Sequence, residues 1–184
     1  NKGFLSVDET FRADTTVEAL SALKPAFKKD GTVTAGNSSQ LSDGVGMVVV
    51  ASERGLKKCG MGPMARIVGI ATAGGPPRDL FFTPPVAVRM ACQKAGWSLN
   101  QVDFFELNEA FASQTIAGVR GLELSGENVN VNGGAIALGH PIGASGARVL
   151  VTLLHILKAQ KAKRGVAALC LGGGNAVAMA VEMV

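Results

Sequence analysis

Tyrosine is absent from this 184-residue chain, and tryptophan occurs once. Little aromatic surface is left for stacking bases, so no nucleic-acid partner is expected. Cysteine is also scarce: Cys59, Cys92 and Cys170 lie far apart. An odd number of widely spaced thiols is not a disulfide framework. No Cys-x-x-Cys pair or His/Cys cluster offers a zinc set, and no metal is expected. Free thiols suit a reducing compartment, meaning the cytoplasm, or a peroxisomal or mitochondrial matrix in a eukaryote. The apolar runs are too short, or too broken by glycine, to span a membrane, and no signal peptide is recognised. The first residue is Asn1 rather than methionine, as in a processed or incomplete chain.

Charge is sparse too, at 17 % against 47 % hydrophobic residues, which argues for a packed core over most of the length. The net charge is +4, with a pI near 9.2. Its sources are dispersed, from Lys28 and Lys29 through Lys57 and Lys58 to Lys158, Lys161, Lys163 and Arg164. Such residues read as solvated helix ends, or as a mild attraction for an anionic substrate such as a nucleotide-bearing thioester.

Glycine, in contrast, is abundant at 24 residues and gathers in a few turns. Asp14 or Thr15 is placed to cap a short helix that Pro25 limits. Gly44 to Ala51, with the unbroken apolar run Met47-Val48-Val49-Val50, predicts a strand buried on both faces. Ser52 caps a helix over 53–58 that Gly60 ends. Further strands are expected over 65–73, 102–107, 166–170 and 176–184. Helices are expected over 85–96, 109–122 and 143–161, the first opened by Pro85 and closed by Gly96. Alternating strands and helices imply a layered α/β domain, with a mixed sheet of about five strands flanked by helices. Residues 1–40 are expected to form an N-terminal extension and residues 41–184 the domain.

Three polar residues stand at strand ends or glycine-rich turns, where reactive groups in α/β folds gather. Cys170 ends an apolar strand before Gly172-Gly173-Gly174. It is either a buried core thiol or, beside amides that glycine lets approach a ligand, a base or nucleophile. His140, thirty residues earlier, lies between Gly139 and Pro141. It is either a capping or solvated histidine, or a general base and oxyanion donor. Asn108, between a predicted strand and a predicted helix, suits an N-cap and equally suits a carboxamide that positions a water. His155 lies among helix leucines and reads as structural, while Cys59 and Cys92 read as inert.

These residues sit in four segments: Thr34-Ala35-Gly36-Asn37-Ser38-Ser39, Asn108-Glu109-Ala110-Phe111-Ala112, Asn130 to Pro141, and Cys170-Leu171-Gly172-Gly173-Gly174. In this order and spacing they resemble the C-terminal half of a thiolase, over nearly the whole chain. Asn108-Glu109-Ala110-Phe111 is most similar to the acetyl-CoA and 3-ketoacyl-CoA thiolases.

The resemblance implies acyl transfer between coenzyme A thioesters, by Claisen condensation or thiolysis. Coenzyme A acts as a substrate, with no permanently bound cofactor. It implies that His140 activates a nucleophilic cysteine and polarises the thioester carbonyl. Asn108 holds an oxyanion-hole water, Cys170 moves a proton at the α-carbon, and the Gly172 amide joins a second oxyanion hole. Ala35 and Ser39 line the coenzyme A site, with Phe111 near the pantetheine arm. The family's nucleophile belongs to the N-terminal half, and neither Cys59 nor Cys92 matches its motif. The implied partners are acyl-CoA thioesters, an N-terminal thiolase half and further copies in a dimer or tetramer. Isolated, this chain is expected to be inactive. Leu80-Phe81-Phe82-Thr83-Pro84 replaces a Met/Gly-rich stretch near the acyl pocket and is expected to alter chain-length preference. The alternative is a non-catalytic module that binds acyl-CoA or a partner protein.

Overall fold

The computed structural model describes residue 3, residues 6–8 and residues 10–184. A short helix α1 (Val17–Ser21) is capped by Thr16, whose hydroxyl accepts from the Ala19 amide at 3.1 Å. The cap is thus one residue beyond the two expected. Helix α2 (Glu53–Cys59) has the expected ends: Ser52 accepts from Gly55, and Gly60 closes it in the left-handed region at φ 64°.

Strand β1 (Ala65–Gly74) leads through a 3-10 turn, Pro77–Phe82, into helix α3 (Thr83–Ala95). Strand β2 (Phe104–Leu107) precedes helix α4 (Ala112–Gly121) and a single turn α5 (Ala135–Leu138). Helix α6 (Ser145–Gln160), strand β3 (Arg164–Leu171) and strand β4 (Asn175–Met183) complete the chain. The strands form one sheet in the order β1-β4-β3-β2. β4 is antiparallel to β1 and β3, while β2 and β3 run parallel. The expected mixed α/β sheet forms, with four strands among the described residues.

Helices cover both faces, and the strands show why. Val166 and Ala168 of β3 pack with Ala87, Val88 and Ala91 of α3. Ala167, between them, packs with Val149, Leu153 and Leu157 of α6. Successive side chains on a strand point to opposite faces. The alanines of β4 (Ala176, Ala178, Ala180) all join the α3 side, where small residues let the helix settle close. Phe105 is 1 % exposed in this layer, and its burial contributes about 2–3 kcal/mol.

The strand expected over 44–51 does not form. Val45, Met47, Val49 and Val50 are largely exposed, with Val49 at 89 %. An apolar run becomes a central strand only when neighbours supply hydrogen bonds and cover both faces. No described strand lies alongside it. The helix expected from Glu109 also starts later, at Ala112, because Glu109 is engaged elsewhere.

Candidate functional site

β2 and β3 end side by side. Leu107 pairs with Ala168, and the Asn108 amide donates to the Ala168 carbonyl at 2.9 Å. Asn108 and Cys170 therefore leave the same edge of the sheet. A strand's C-terminal edge is where open α/β sheets present ligand-binding groups.

Asn108 is 1 % exposed and is not a helix cap. Its Nδ2 lies 3.3 Å from His140 Nε2, and its Oδ1 accepts from Arg148 at 3.1 Å. On the other side of the ring, His140 Nδ1 lies 2.6 Å from the Ser145 hydroxyl. Burial and the positive charge of Arg148 hold the His140 pKa below its usual value. The imidazole is thereby kept neutral and available as a base.

The loop from Thr34 closes over this pair. Thr34 and Asn37 form a reciprocal capping box around the 3-10 turn Ala35–Asn37. The Ser39 amide and hydroxyl both donate to the Ala110 carbonyl at 3.0 Å. The His140 amide donates to Gln40 O at 3.0 Å. Ala35 is exposed at the turn, whereas Ser39 is tied to the Asn108–Phe111 segment. Phe111 lies between two aromatic neighbours, with Phe81 at 5.7 Å and Phe27 at 6.5 Å between ring centroids. Phe81 is thus part of this surface, while Phe82 is 64 % exposed.

Cys170 is half-buried, and burial raises its thiol pKa. The turn after it is tightly made. Gly173 and Gly174 take φ values of 77° and 89°. The Gly174 carbonyl accepts from the Gly75 amide at 2.9 Å and from the Thr83 hydroxyl at 3.2 Å. Asn175 Nδ2 donates to the Gly172 carbonyl at 3.2 Å. Cys170 leaves the same sheet edge as Asn108, whereas His140 lies off the sheet, bridged to Leu41, and no side-chain hydrogen bond among the described residues joins Cys170 or Gly172 to Asn108 or His140.

A polar layer behind the site was not anticipated from sequence. Glu106, 1 % exposed, faces Arg148 at 3.6 Å. Burial outweighs this pairing and pushes the Glu106 pKa up to about 7. Glu109 accepts from Asn130 Nδ2 at 3.0 Å and from the Ile136 amide at 3.2 Å. Asn130 also bonds both backbone groups of Leu107 at 2.8 Å, so its amide serves as a neighbour to the edge strand β2. The available signal was a carboxylate inside Phe104-Phe105-Glu106-Leu107, since a buried charge requires a partner.

Among the described residues no group of His, Cys, Asp and Glu is placed to hold a metal, and no helix is long and apolar enough to cross a membrane. The arrangement offers a neutral imidazole, a carboxamide fixed beside it and a thiol above a glycine turn. Such a set suits proton transfer and oxyanion stabilisation in acyl chemistry.

Comparison with known proteins bears on the family and the fold. The family model of the thiolase C-terminal domain matches residues 61–183, and that of the thiolase N-terminal domain matches residues 1–54. An acetyl-CoA acetyltransferase of Pseudomonas aeruginosa is 56 % identical over 172 residues, 94 % of this chain and 44 % of that protein. The crystal structure of the Bacillus anthracis acetyl-CoA acetyltransferase superposes with a TM-score of 0.93 at 49 % identity, over 96 % of this chain and 45 % of that one. Human mitochondrial 3-ketoacyl-CoA thiolase in complex with CoA superposes with a TM-score of 0.90 at 43 % identity, over 98 % and 46 %. The chain thus spans less than half the length of the relatives it matches. With both domain models matched in order and the fold shared along almost its whole length, the chain belongs to the thiolase family.

Proposed function

We propose that this chain is the C-terminal catalytic part of an acyltransferase that works between coenzyme A thioesters, by Claisen condensation or by thiolysis of 3-ketoacyl-CoA. The observation that carries this reading is the contact between Asn108 and His140, closed over by the Ser39 loop. A neutral imidazole with a carboxamide on one nitrogen and a hydroxyl on the other is built for proton transfer, not for capping.

In this reading the nucleophilic thiol comes from a thiolase N-terminal half outside the 184 residues. His140 takes the proton of that thiol as it attacks the thioester carbonyl. Nε2 of His140 and a water on Asn108 stabilise the oxyanion. Cys170 exchanges a proton with the α-carbon of the acyl group, and the Gly172 amide helps hold the enolate oxygen. One such preformed donor lowers a barrier by roughly 3–4 kcal/mol. Ala35, Ser39 and Phe111 face the coenzyme A moiety, with Phe81 beside Phe111 narrowing the acyl side. The uncovered apolar run from Val45 to Val50 supports the need for a complementing half.

Co-expression with a thiolase N-terminal segment tests this reading. The complex is expected to cleave acetoacetyl-CoA, and this chain alone is not. Cys170→Ala in the complex is expected to stop turnover while the nucleophile still accepts an acyl group. Cleavage by the chain alone, or equal loss of acylation in Cys170→Ala, sinks the assignment. Coenzyme A binding without cleavage in the complex favours the non-catalytic binding module instead.

A further inference from the structure

We propose that Arg148 acts through Asn108 as the positioning residue that fixes the tautomer of His140, leaving Nε2 bare and the proton on Nδ1. The proposal rests on the acyl-transfer reading above only for its purpose, not for its geometry.

The argument follows the direction of each hydrogen bond. A guanidinium donates and never accepts. Arg148 reaches the oxygen end of the Asn108 carboxamide at 3.1 Å, so that end is Oδ1. The other end is then the amide nitrogen, which has only hydrogens to offer. It lies 3.3 Å from His140 Nε2, and a donor there requires a lone pair on the ring nitrogen. The neutral ring consequently carries its proton on Nδ1, and that N–H donates to the Ser145 hydroxyl at 2.6 Å. Ser145, fully buried, turns its own hydrogen to the Pro141 carbonyl at 3.0 Å. Four consecutive donors point the same way, and the chain starts at the one group that cannot reverse.

The residues behind Arg148 hold it at the head of this chain. Its NH1 faces Glu106 at 3.6 Å, and its side chain is only 17 % exposed. Glu106 and Glu109 both add negative charge near the guanidinium. The guanidinium, from α6, is thus flanked by Glu106 from β2 and Glu109 from the following turn, and it is the charged group that bears on the imidazole. Without Arg148 the carboxamide is free to turn over. Its Oδ1 then meets an Nε2–H, and the ring takes the tautomer that free imidazole side chains prefer. A bare Nε2 is what a base needs in order to receive a thiol proton. A protonated Nε2 cannot receive it.

The chain has two histidines, so 15N-labelled histidine gives two readable imidazoles. His155 is exposed on α6 and serves as the internal reference. In the 184-residue chain, His140 is expected to show an unprotonated Nε2 and a protonated Nδ1. In Arg148→Met the majority form is expected to reverse to Nε2–H. Arg148→Met leaves Glu106 without its partner, so the paired variant Glu106→Gln/Arg148→Met is measured beside it and is expected to reverse equally. Asn108→Asp, which keeps an acceptor for Arg148 but removes the donor to the ring, is expected to protonate Nε2. An unchanged Nδ1–H tautomer in the folded Met variants, or a bare Nε2 in Asn108→Asp, overturns the proposal. The spectrum requires no turnover. Its failure leaves the acyl-transfer assignment standing, and inactivity of the complex leaves the tautomer result standing.

Discussion

The amide of Asn108 donates to the carbonyl of Ala168 at 2.9 Å, two residues before Cys170. This one bond extends the parallel β2–β3 ladder past its last paired residues. It brings Asn108 to within one residue of Cys170 in the register, although 62 residues separate them in the chain. The site is therefore only as rigid as the turns leaving these two strands.

The turn after Cys170 is the first place to test that. Gly174 sits at φ 89°, and a Cβ there would overlap the Gly75 carbonyl. Gly172 has no such φ and has open space around its Cα. Gly174→Ala is expected to destabilise the chain by about 1–3 kcal/mol or more, from strain and the displaced Gly75 strand end. Gly172→Ala is expected to stay within about 0.5 kcal/mol of wild type. Urea unfolding of the two variants checks the contrast, and equal stabilities would contradict the described turn.

Asn130 offers a second test. It has φ 49°, and its amide holds Leu107 N, Leu107 O and Glu109. Asn130→Gly keeps the backbone comfortable and removes only the side-chain bonds, at a cost of about 1–3 kcal/mol. Asn130→Asp is expected to cost more, because a carboxylate oxygen would face the Leu107 carbonyl and the Glu109 carboxylate. Thermal unfolding at neutral pH gives the order wild type, Gly, Asp. A more stable Asp variant would show that the amide orientation is different.

What the sequence revealed of this molecule divides by distance along the chain. The ends of α2 were legible because Ser52 and Gly60 act within one turn of it. The same holds for Gly96 after α3, at φ 72°. Asn108 reads locally as a cap, yet its partners are His140, Arg148 and Ala168, between 32 and 60 residues away. No local pattern encodes those pairings. The run Met47-Val48-Val49-Val50 has strand composition, but forming a strand depends on a neighbour that the described residues do not supply. Glu106 was the clearest missed signal, since a carboxylate in a buried strand implies a cation opposite it.

Thiol chemistry gives a third prediction. Cys59 is exposed at the end of α2. Cys170 is half-buried with a raised pKa, and burial lifts Cys92, in α3, to about 11. The thiolate is the reacting form, so alkylation at pH 8 is expected to run Cys59 first, then Cys170, then Cys92. Peptide mapping after timed iodoacetamide treatment reads the order directly. Fast modification of Cys170 in the free chain would mean that its surroundings are wetter than described.

Glu106 gives the last prediction, a pH dependence of stability. Its carboxyl is raised from an ordinary 4.5 to about 7 in the folded chain, because burial costs the charged form more than Arg148 returns. Between these values the folded state holds a proton that the unfolded state has released. Stability therefore falls as pH rises from about 4.5 to about 7, and the loss is complete above that. The contribution is on the order of 1–3 kcal/mol, since one pKa unit corresponds to about 1.4 kcal/mol. Glu106→Gln cannot titrate and is expected to lose this slope while keeping an acceptor for Arg148. Urea midpoints measured every half unit from pH 4.5 to 8 compare the two proteins. If the slopes coincide, Glu106 is not the titrating group, and its charge is accommodated in the fold without penalty.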